Sequence, residues 1–362
     1  MKGFSQKEFF LLEKDTLPQQ KIEQTFFSSG FSSTFHHGAI LPHREEVNEI
    51  IEGHTQGVEL SYTATTFGEK KWQQDYNYPK VGVSGLVINL GNKKQLGLGF
   101  GILPYLELPI TQQKISWKVK IGYGLGYIEK PFDGDSNFKN GAIGSHFNAL
   151  IYANLIGEFK LVDRFTSSCG LSFIHYSNGS YARPNLGINI LSLTAGLNYS
   201  FGDQKQHVAT NVIKRPRLWS KQFSIGAGVK EIPPVDGLKY VVSTISFNVL
   251  KVRAEKSSFG FGSDLFYNSS LSHLIARDSL LIANSLDNYR LGVFGMYSFD
   301  FGKISVSLAL GSYLLSTYKG NGLLYNKLET RYWINEKLFL RAAMKTHLVV
   351  ADFIEYGIGF KL

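Results

Sequence analysis

Along most of this chain apolar and polar side chains alternate with a period of two. Between Ile115 and Tyr127, the residues Ile115, Trp117, Val119, Ile121, Tyr123, Leu125 and Tyr127 interleave with Ser116, Lys118, Lys120, Gly122, Gly124 and Gly126. Successive side chains of a strand point to opposite faces, so this segment has one apolar face and one polar or bare face. Soluble sandwich strands rarely sustain that for a dozen residues, whereas an outer-membrane strand needs roughly ten residues of apolar-out, polar-in alternation. The pattern recurs over 32–43, 57–67, 81–90, 96–108, 147–160, 169–178 and 189–201. It resumes over 223–229, 240–254, 259–267, 291–299, 304–310, 328–334, 338–348 and 354–362. The expected count is about sixteen strands.

Helical periodicity is nearly absent, and no run of apolar residues is long enough for a transmembrane helix. A chain that spans a membrane without one must close its strands into a barrel, because every backbone N–H and C=O needs a partner within the hydrocarbon. The predicted fold is all-β, a transmembrane antiparallel β-barrel of about sixteen strands. A single barrel is preferred because one aromatic-rich strand, with Ile354, Tyr356, Ile358, Phe360 and Leu362 on one face, ends the chain. Two tandem eight-stranded barrels are the alternative, permitted by the polar stretch after Gly202. The division expected is 1–28 as an N-terminal periplasmic segment, 29–202 as the half carrying the site, 203–221 as a polar linker and 222–362 as the strands completing the barrel. A single barrel of that size would have a lumen wide enough for water unless loops plug it. Lys118, Lys120, Glu329 and Arg331 are expected to form a solvated ion network there.

Loop lengths give the orientation, since bacterial barrels pair short periplasmic turns with longer extracellular loops. With the first strand running outward, the segments 44–56, 129–141, 178–187, 268–288 and 317–325 are long and extracellular. The turns at Asp163, Glu255, Gly302 and Glu336 are short, while 68–78 and the stretch after Gly202 break the rule.

Composition narrows the class. Among 362 residues there is one cysteine, Cys169, so no intrachain disulfide is possible. Phe9 to Leu12 is too short, and too close to Glu13 and Lys14, for the core of an export signal. An outer-membrane protein needs one, so the numbering is read as that of a mature or re-started chain. The formal net charge is +9. The lysines are scattered among strands and turns with no clustered basic face, which excludes nucleic acid and favours an anionic membrane surface or phosphorylated lipid. Lys214-Arg-Pro-Arg217 reads as a solvated linker.

Chemistry concentrates in Phe173-Ile-His175-Tyr-Ser177-Asn178-Gly179 and the following Pro184-Asn185-Leu-Gly187-Ile-Asn189. Parity puts Cys169, Leu171, Phe173, His175 and Ser177 on one face of the seventh strand, and Asn189, Leu191 and Leu193 on the matching face of the eighth. His175, Ser177 and Asn189 therefore face lipid at the extracellular rim, where polar side chains are costly and suggest function. A serine attacks an ester only if a neighbouring base takes its proton, and i, i+2 spacing sets His175 beside Ser177. His36, His37 and His43 raise the question of a metal, but His36 and His37 point to opposite faces, which favours rim or loop roles. No metal or cofactor motif is present.

His-x-Ser-Asn followed by Pro-Asn-x-Gly-Ile and an alternating strand resembles the lipid A 3-O-deacylase (PagL-type) family of outer-membrane hydrolases. The resemblance spans roughly Ser32 to Phe201; the family barrel has eight strands, so the remainder exceeds its pattern. It implies Ser177 as nucleophile, His175 as base, and Asn178, Asn185 and Gly179 as positioning or oxyanion groups. The family's third member is a Glu after the Gly-Ile pair, where this chain has Asn189, which can orient an imidazole but contributes no charge. Two functions follow as expectations. The first is an esterase of the bacterial outer membrane that removes an ester-linked acyl chain from the lipid A of lipopolysaccharide, without a cofactor. The second is a weak or inactive barrel serving as a pore or as a subunit of an outer-membrane protein complex. A calcium-dependent phospholipase ranks behind both, since no acidic cluster adjoins the motif.

Overall fold

The computed structural model describes residues 25–111, 113–208, 218–235, 237–254, 256–279, 284–348 and 350–362. Its sixteen strands are β1 (Thr25–Ile40), β2 (Thr55–Thr65), β3 (Lys80–Asn89), β4 (Leu98–Pro109), β5 (Ile115–Ile128), β6 (Phe147–Lys160), β7 (Phe165–Ser177), β8 (Ile188–Gln206), β9 (Trp219–Glu231), β10 (Lys239–Ala254), β11 (Ser257–Asn268), β12 (Tyr289–Phe301), β13 (Ile304–Ser316), β14 (Leu324–Trp333), β15 (Leu338–His347) and β16 (Val350–Lys361). Among the described residues three short α-helices, α1 (Glu45–Asn48), α2 (Lys71–Asp75) and α3 (Leu271–Ser279), and a 3-10 helix, Ser285–Asn288, lie in connections. The expected segment 1–28 lies largely outside the described residues, as do Phe9 to Leu12 and Lys214 to Arg217.

The strands close into two eight-stranded antiparallel barrels, β1–β8 and β9–β16. The strand count and the tandem alternative hold, and the preferred single barrel does not. The reason is register. β8 returns along the whole of β1, from Thr25↔Gln206 to Ile40↔Ile190, leaving no open edge for later strands. The C-terminal strand closes instead on β9, with Tyr356↔Ala227 and Phe360↔Phe223.

An eight-stranded barrel has an interior only wide enough for side chains. The ion network is accordingly paired: Lys120, Glu329 and Arg331 are buried, against the solvated network expected of a wide lumen, while Lys118 lines a cavity inside the first barrel. In the first barrel Glu59 takes Lys120, His36 Nε2 at 3.3 Å and the Tyr152 hydroxyl at 2.8 Å, while Lys118 bridges Glu107 at 2.8 Å and Glu158 at 2.6 Å. In the second, Lys327 pairs with Asp264 at 2.6 Å, Arg341 joins Glu329 and Glu355, and Asp352 lies between Lys230 and Lys345. Buried charges tolerate such a site only when paired and hydrogen-bonded. His36 is part of this packing, fully buried between Ser172 and Glu59, so the rim or loop role expected of it gives way to a lumen role.

At the end where the loops after β1, β5 and β7 lie, the first lumen turns apolar, and Val47 and Ile50 from the loop after β1 join Leu90, Leu96, Ile143 and Ile174 in one core. Outward residues such as Leu60, Ile102, Leu193 and Leu310 stay exposed, as a bilayer-facing wall requires. The long turn 66–79, anomalous by the loop-length rule, docks on the second barrel. Tyr76 stacks on Phe301 with ring centroids 4.4 Å apart, and its hydroxyl donates to Lys256 O at 3.0 Å.

Candidate active site

β7 turns Ser172, Ile174 and Tyr176 into the lumen, where all three are buried. That parity leaves His175 and Ser177 on the outer wall with Leu171 and Phe173. His175 and Asn189 are direct cross-strand partners in the β7–β8 ladder. Directly opposed side chains on one sheet face start with Cβ atoms about 5 Å apart, and here they meet, with His175 Nδ1 2.6 Å from Asn189 Oδ1. Assigned from its partner, Nδ1 carries the proton and donates to the amide oxygen, which leaves a lone pair on Nε2. The returning loop passes so close to the imidazole that a Cβ on Gly187, whose φ is +82°, would lie 2.9 Å from His175 Cε1.

Ser177 ends β7 and is 5 % exposed. Its Oγ accepts from Asn185 Nδ2 at 3.1 Å and from the Gly179 N–H at 3.3 Å. Two donors thus converge beside the hydroxyl. Asn178 is engaged differently, with its Nδ2 donating to Ser145 Oγ at 2.8 Å and Ala182 O at 2.9 Å, and its backbone N–H to Asn185 Oδ1 at 3.0 Å. It builds the loop rather than facing the hydroxyl. The six residues singled out by sequence fall into two hydrogen-bonded groups two residues apart on β7, His175 with Asn189 and Ser177 with Asn178, Gly179 and Asn185.

The loop's two ends belong to the first barrel, and its tip is held by the second. The Glu231 N–H donates to Ser180 O at 2.8 Å, Ser180 Oγ to Ala351 O at 2.9 Å, and Lys239 Nζ to Tyr181 O at 2.7 Å. Arg183 N–H reaches Glu231 Oε2 at 3.4 Å. Burial of the Arg183 guanidinium lowers its pKa, opposed by Glu231 and Asp352. Nothing in the motif points to these partners, which belong to elements of the other barrel. His43, expected only as a rim or loop residue, joins the site as well: its Nδ1 lies 3.2 Å from Asn189 Nδ2.

Residues 56–198 match the family model for Lipid A 3-O-deacylase (PagL), and residues 219–362 match that for Acyloxyacyl hydrolase, C-terminal domain (PagL_C). The chain belongs to the PagL family. The second barrel, which exceeded the pattern read from the motif, is the part matched by the C-terminal-domain model. Among solved structures the chain is similar to one described as the crystal structure of the outer membrane enzyme PagL, with 20% identity and a TM-score of 0.34 over 46% of this chain and 97% of that one. It is also similar to a mutant Rh. blastica porin, at 8% identity and a TM-score of 0.19 over 93% and 100%. The siderophore receptor PirA from Pseudomonas aeruginosa matches at 10% identity and a TM-score of 0.22 over 93% and 81%. No curated protein matches. As a PagL-family barrel the protein resides in the bacterial outer membrane, and its family is one of ester hydrolases acting on lipid A.

Proposed function

We propose that the protein removes an ester-linked acyl chain from lipid A, with Ser177 as nucleophile, His175 as general base and Asn189 orienting His175. The observation that carries this is the bond from His175 Nδ1 to Asn189 Oδ1, because it fixes the tautomer whose Nε2 can take a proton. Ser177 Oγ attacks the ester carbonyl carbon as His175 Nε2 accepts its proton. Negative charge develops on the carbonyl oxygen, where the Gly179 N–H and Asn185 Nδ2 are the nearest donors to the attacking atom. The tetrahedral intermediate expels the sugar oxygen, which leaves with the proton from His175, and water then hydrolyses the acyl-serine by the same route in reverse. In the resting arrangement Ser177 bonds to Asn185 and Gly179, so its hydroxyl rotates towards His175 when substrate binds; such bonds commonly tighten only in the substrate complex.

Position supports the substrate. The wall bearing His175 and Ser177 faces the bilayer at the end where the long loops lie, which is the leaflet holding lipid A. Buried ion pairs cross both lumens, which favours a surface-acting enzyme over a pore. Expression in a deacylase-free host should remove one hydroxyacyl chain from lipid A, read by mass spectrometry, and Ser177→Ala should restore the parent mass. An unchanged spectrum with the folded wild-type protein would refute the reading.

A further inference from the structure

An asparagine is an ambiguous partner for a catalytic histidine. Its oxygen accepts, its nitrogen donates, and the two ends are nearly the same size. With the oxygen towards His175, Nδ1 holds the proton and Nε2 is a base. With the amide turned round, its nitrogen would donate to Nδ1, the ring proton would sit on Nε2, and Ser177 would have nothing to give its proton to. A wrong tautomer of that kind is what disables a serine protease when its aspartate becomes asparagine. A carboxylate has no wrong end, so a chain carrying Asn at this position needs something to fix the amide.

Closure of the first barrel supplies it. β1 and β8 pair as far as Ile40↔Ile190, and one step beyond, the Leu41 N–H donates to Asn189 O at 2.8 Å. The chain then carries His43 to the amide of Asn189. His43 Nε2 is 3.0 Å from Leu186 O, and its Nδ1 is 3.2 Å from Asn189 Nδ2 and 3.1 Å from Leu41 O. Leu186 O beside Nε2 and Leu41 O beside Nδ1 are both acceptors, and a neutral His43 has one ring proton. On Nε2 it leaves Nδ1 to accept from the Asn189 nitrogen, whereas on Nδ1 it would face that nitrogen donor to donor. With the proton on Nε2, Nδ1 offers a lone pair, and of its two neighbours only the Asn189 nitrogen can donate to it. Turning the amide would set Oδ1 against that lone pair, lose the bond to His43 and force His175 into its other tautomer.

We infer that His43 is a positioning residue for the reaction: it captures the Asn189 nitrogen and thereby commits the Asn189 oxygen to His175. This rests on the roles given above to Ser177 and His175. His43 does not touch the reacting atoms, and it replaces by geometry what a carboxylate would secure by having two equivalent oxygens.

The test is a cycle in the full-length protein, with purified lipid A as substrate: wild type, His43→Ala, Asn189→Glu and the double variant. His43→Ala should lower kcat about tenfold, the worth of one or two hydrogen bonds, with KM within about twofold. In the Asn189→Glu background the same change should alter kcat by less than about twofold, since no amide remains to be oriented. An equal loss in both backgrounds would show a merely structural role and overturn the inference, as would no loss in the first. A second readout needs no turnover. In 15N-histidine spectra, with the His175 resonances assigned by their loss in His175→Gln, wild type should show His175 protonated at Nδ1, and His43→Ala should move the population towards Nε2. Unchanged His175 resonances would overturn the inference. If wild type is inert on lipid A, the proposed function fails and these spectra alone decide the role of His43.

Discussion

The Glu231 N–H donates to the Ser180 carbonyl at 2.8 Å, joining the end of β9 to the loop that follows β7 in the other barrel. Both residues are buried, and Ser180 is held at a φ of +66°, unusual for a residue with a side chain. Ser180 directly follows Gly179, whose N–H points at Ser177 Oγ. The second barrel is therefore one residue removed from a donor beside the Ser177 hydroxyl.

Replacing Glu231 by Ala should loosen that loop. The change removes the acceptor shared by Arg183 N–H, Gly237 N–H and Lys239 Nζ, leaving two half-buried backbone donors unpaired at a cost of about 1 kcal/mol each. Amide exchange at Gly179 to Arg183 should accelerate while the strands of both barrels stay protected, and deacylation should fall through kcat. Unaltered exchange at those amides would show that the second barrel does not hold the loop.

Strands and faces were legible because both follow from a period of two, which any sheet must obey. Parity alone put His175, Ser177 and Asn189 on one outer wall. The number of barrels was not legible, because one barrel of sixteen strands and two of eight show the same alternation. What decides between them is the pairing of Thr25 with Gln206 and of Phe223 with Phe360, contacts between residues far apart in sequence. The site roles of His43 and Glu231 escaped for the same reason: one residue reaches the site by barrel closure and the other by docking of a second barrel. Parity separated His36 from His37 but could not say which faced the lumen.

Gly179 should not tolerate a side chain. Its φ is +63°, and a Cβ there would lie 2.4 Å from Ile354 Cγ1 of the second barrel. Gly179→Ala carries about 1–2 kcal/mol of left-handed strain plus the clash. Turnover should drop, and Ile354→Ala added to it should recover only the part due to the clash. Full recovery in the double variant would mean that backbone strain contributes nothing.

Lys120→Met tests the packed lumen. It leaves Glu59 buried without its ammonium partner, keeping His36, Ser61 and Tyr152. Breaking a buried pair from one side costs about 3–5 kcal/mol. The midpoint of urea unfolding in micelles should fall markedly, and adding Glu59→Gln should recover part of it. A midpoint equal to wild type would mean that water reaches Glu59 and the lumen is solvated.

Acid should weaken the base of the first barrel through His207. The ring is stacked between Phe26 at 4.3 Å and Tyr78 at 3.8 Å, and burial pushes its pKa below the ordinary 6.5. A histidine held neutral in the folded state binds its proton more weakly there than in the unfolded chain. Its contribution to stability is thus complete above pH 6.5 and declines as the pH falls from there through the folded pKa. Unfolding midpoints measured from pH 8 to 5 should show this decline, and His207→Phe should flatten it. An identical slope in His207→Phe would assign the effect to other groups.

Asn189→Glu should make the enzyme faster. The bond to His175 Nδ1 is already in place at 2.6 Å, so the tautomer is correct and only charge is missing. A carboxylate would stabilise the imidazolium that forms as Ser177 attacks. Hydrogen bonds to charged groups contribute about 1–2 kcal/mol more than neutral ones, which corresponds to about tenfold in kcat. That gain is far smaller than the ten-thousand-fold or so separating Asp from Asn in a serine protease, because there the tautomer changes as well. Single-turnover deacylation of lipid A by the two proteins measures the difference. A gain near ten-thousand-fold would show that the Asn189 amide is not oriented as described, and no gain would show that His175 carries no charge in the rate-limiting step.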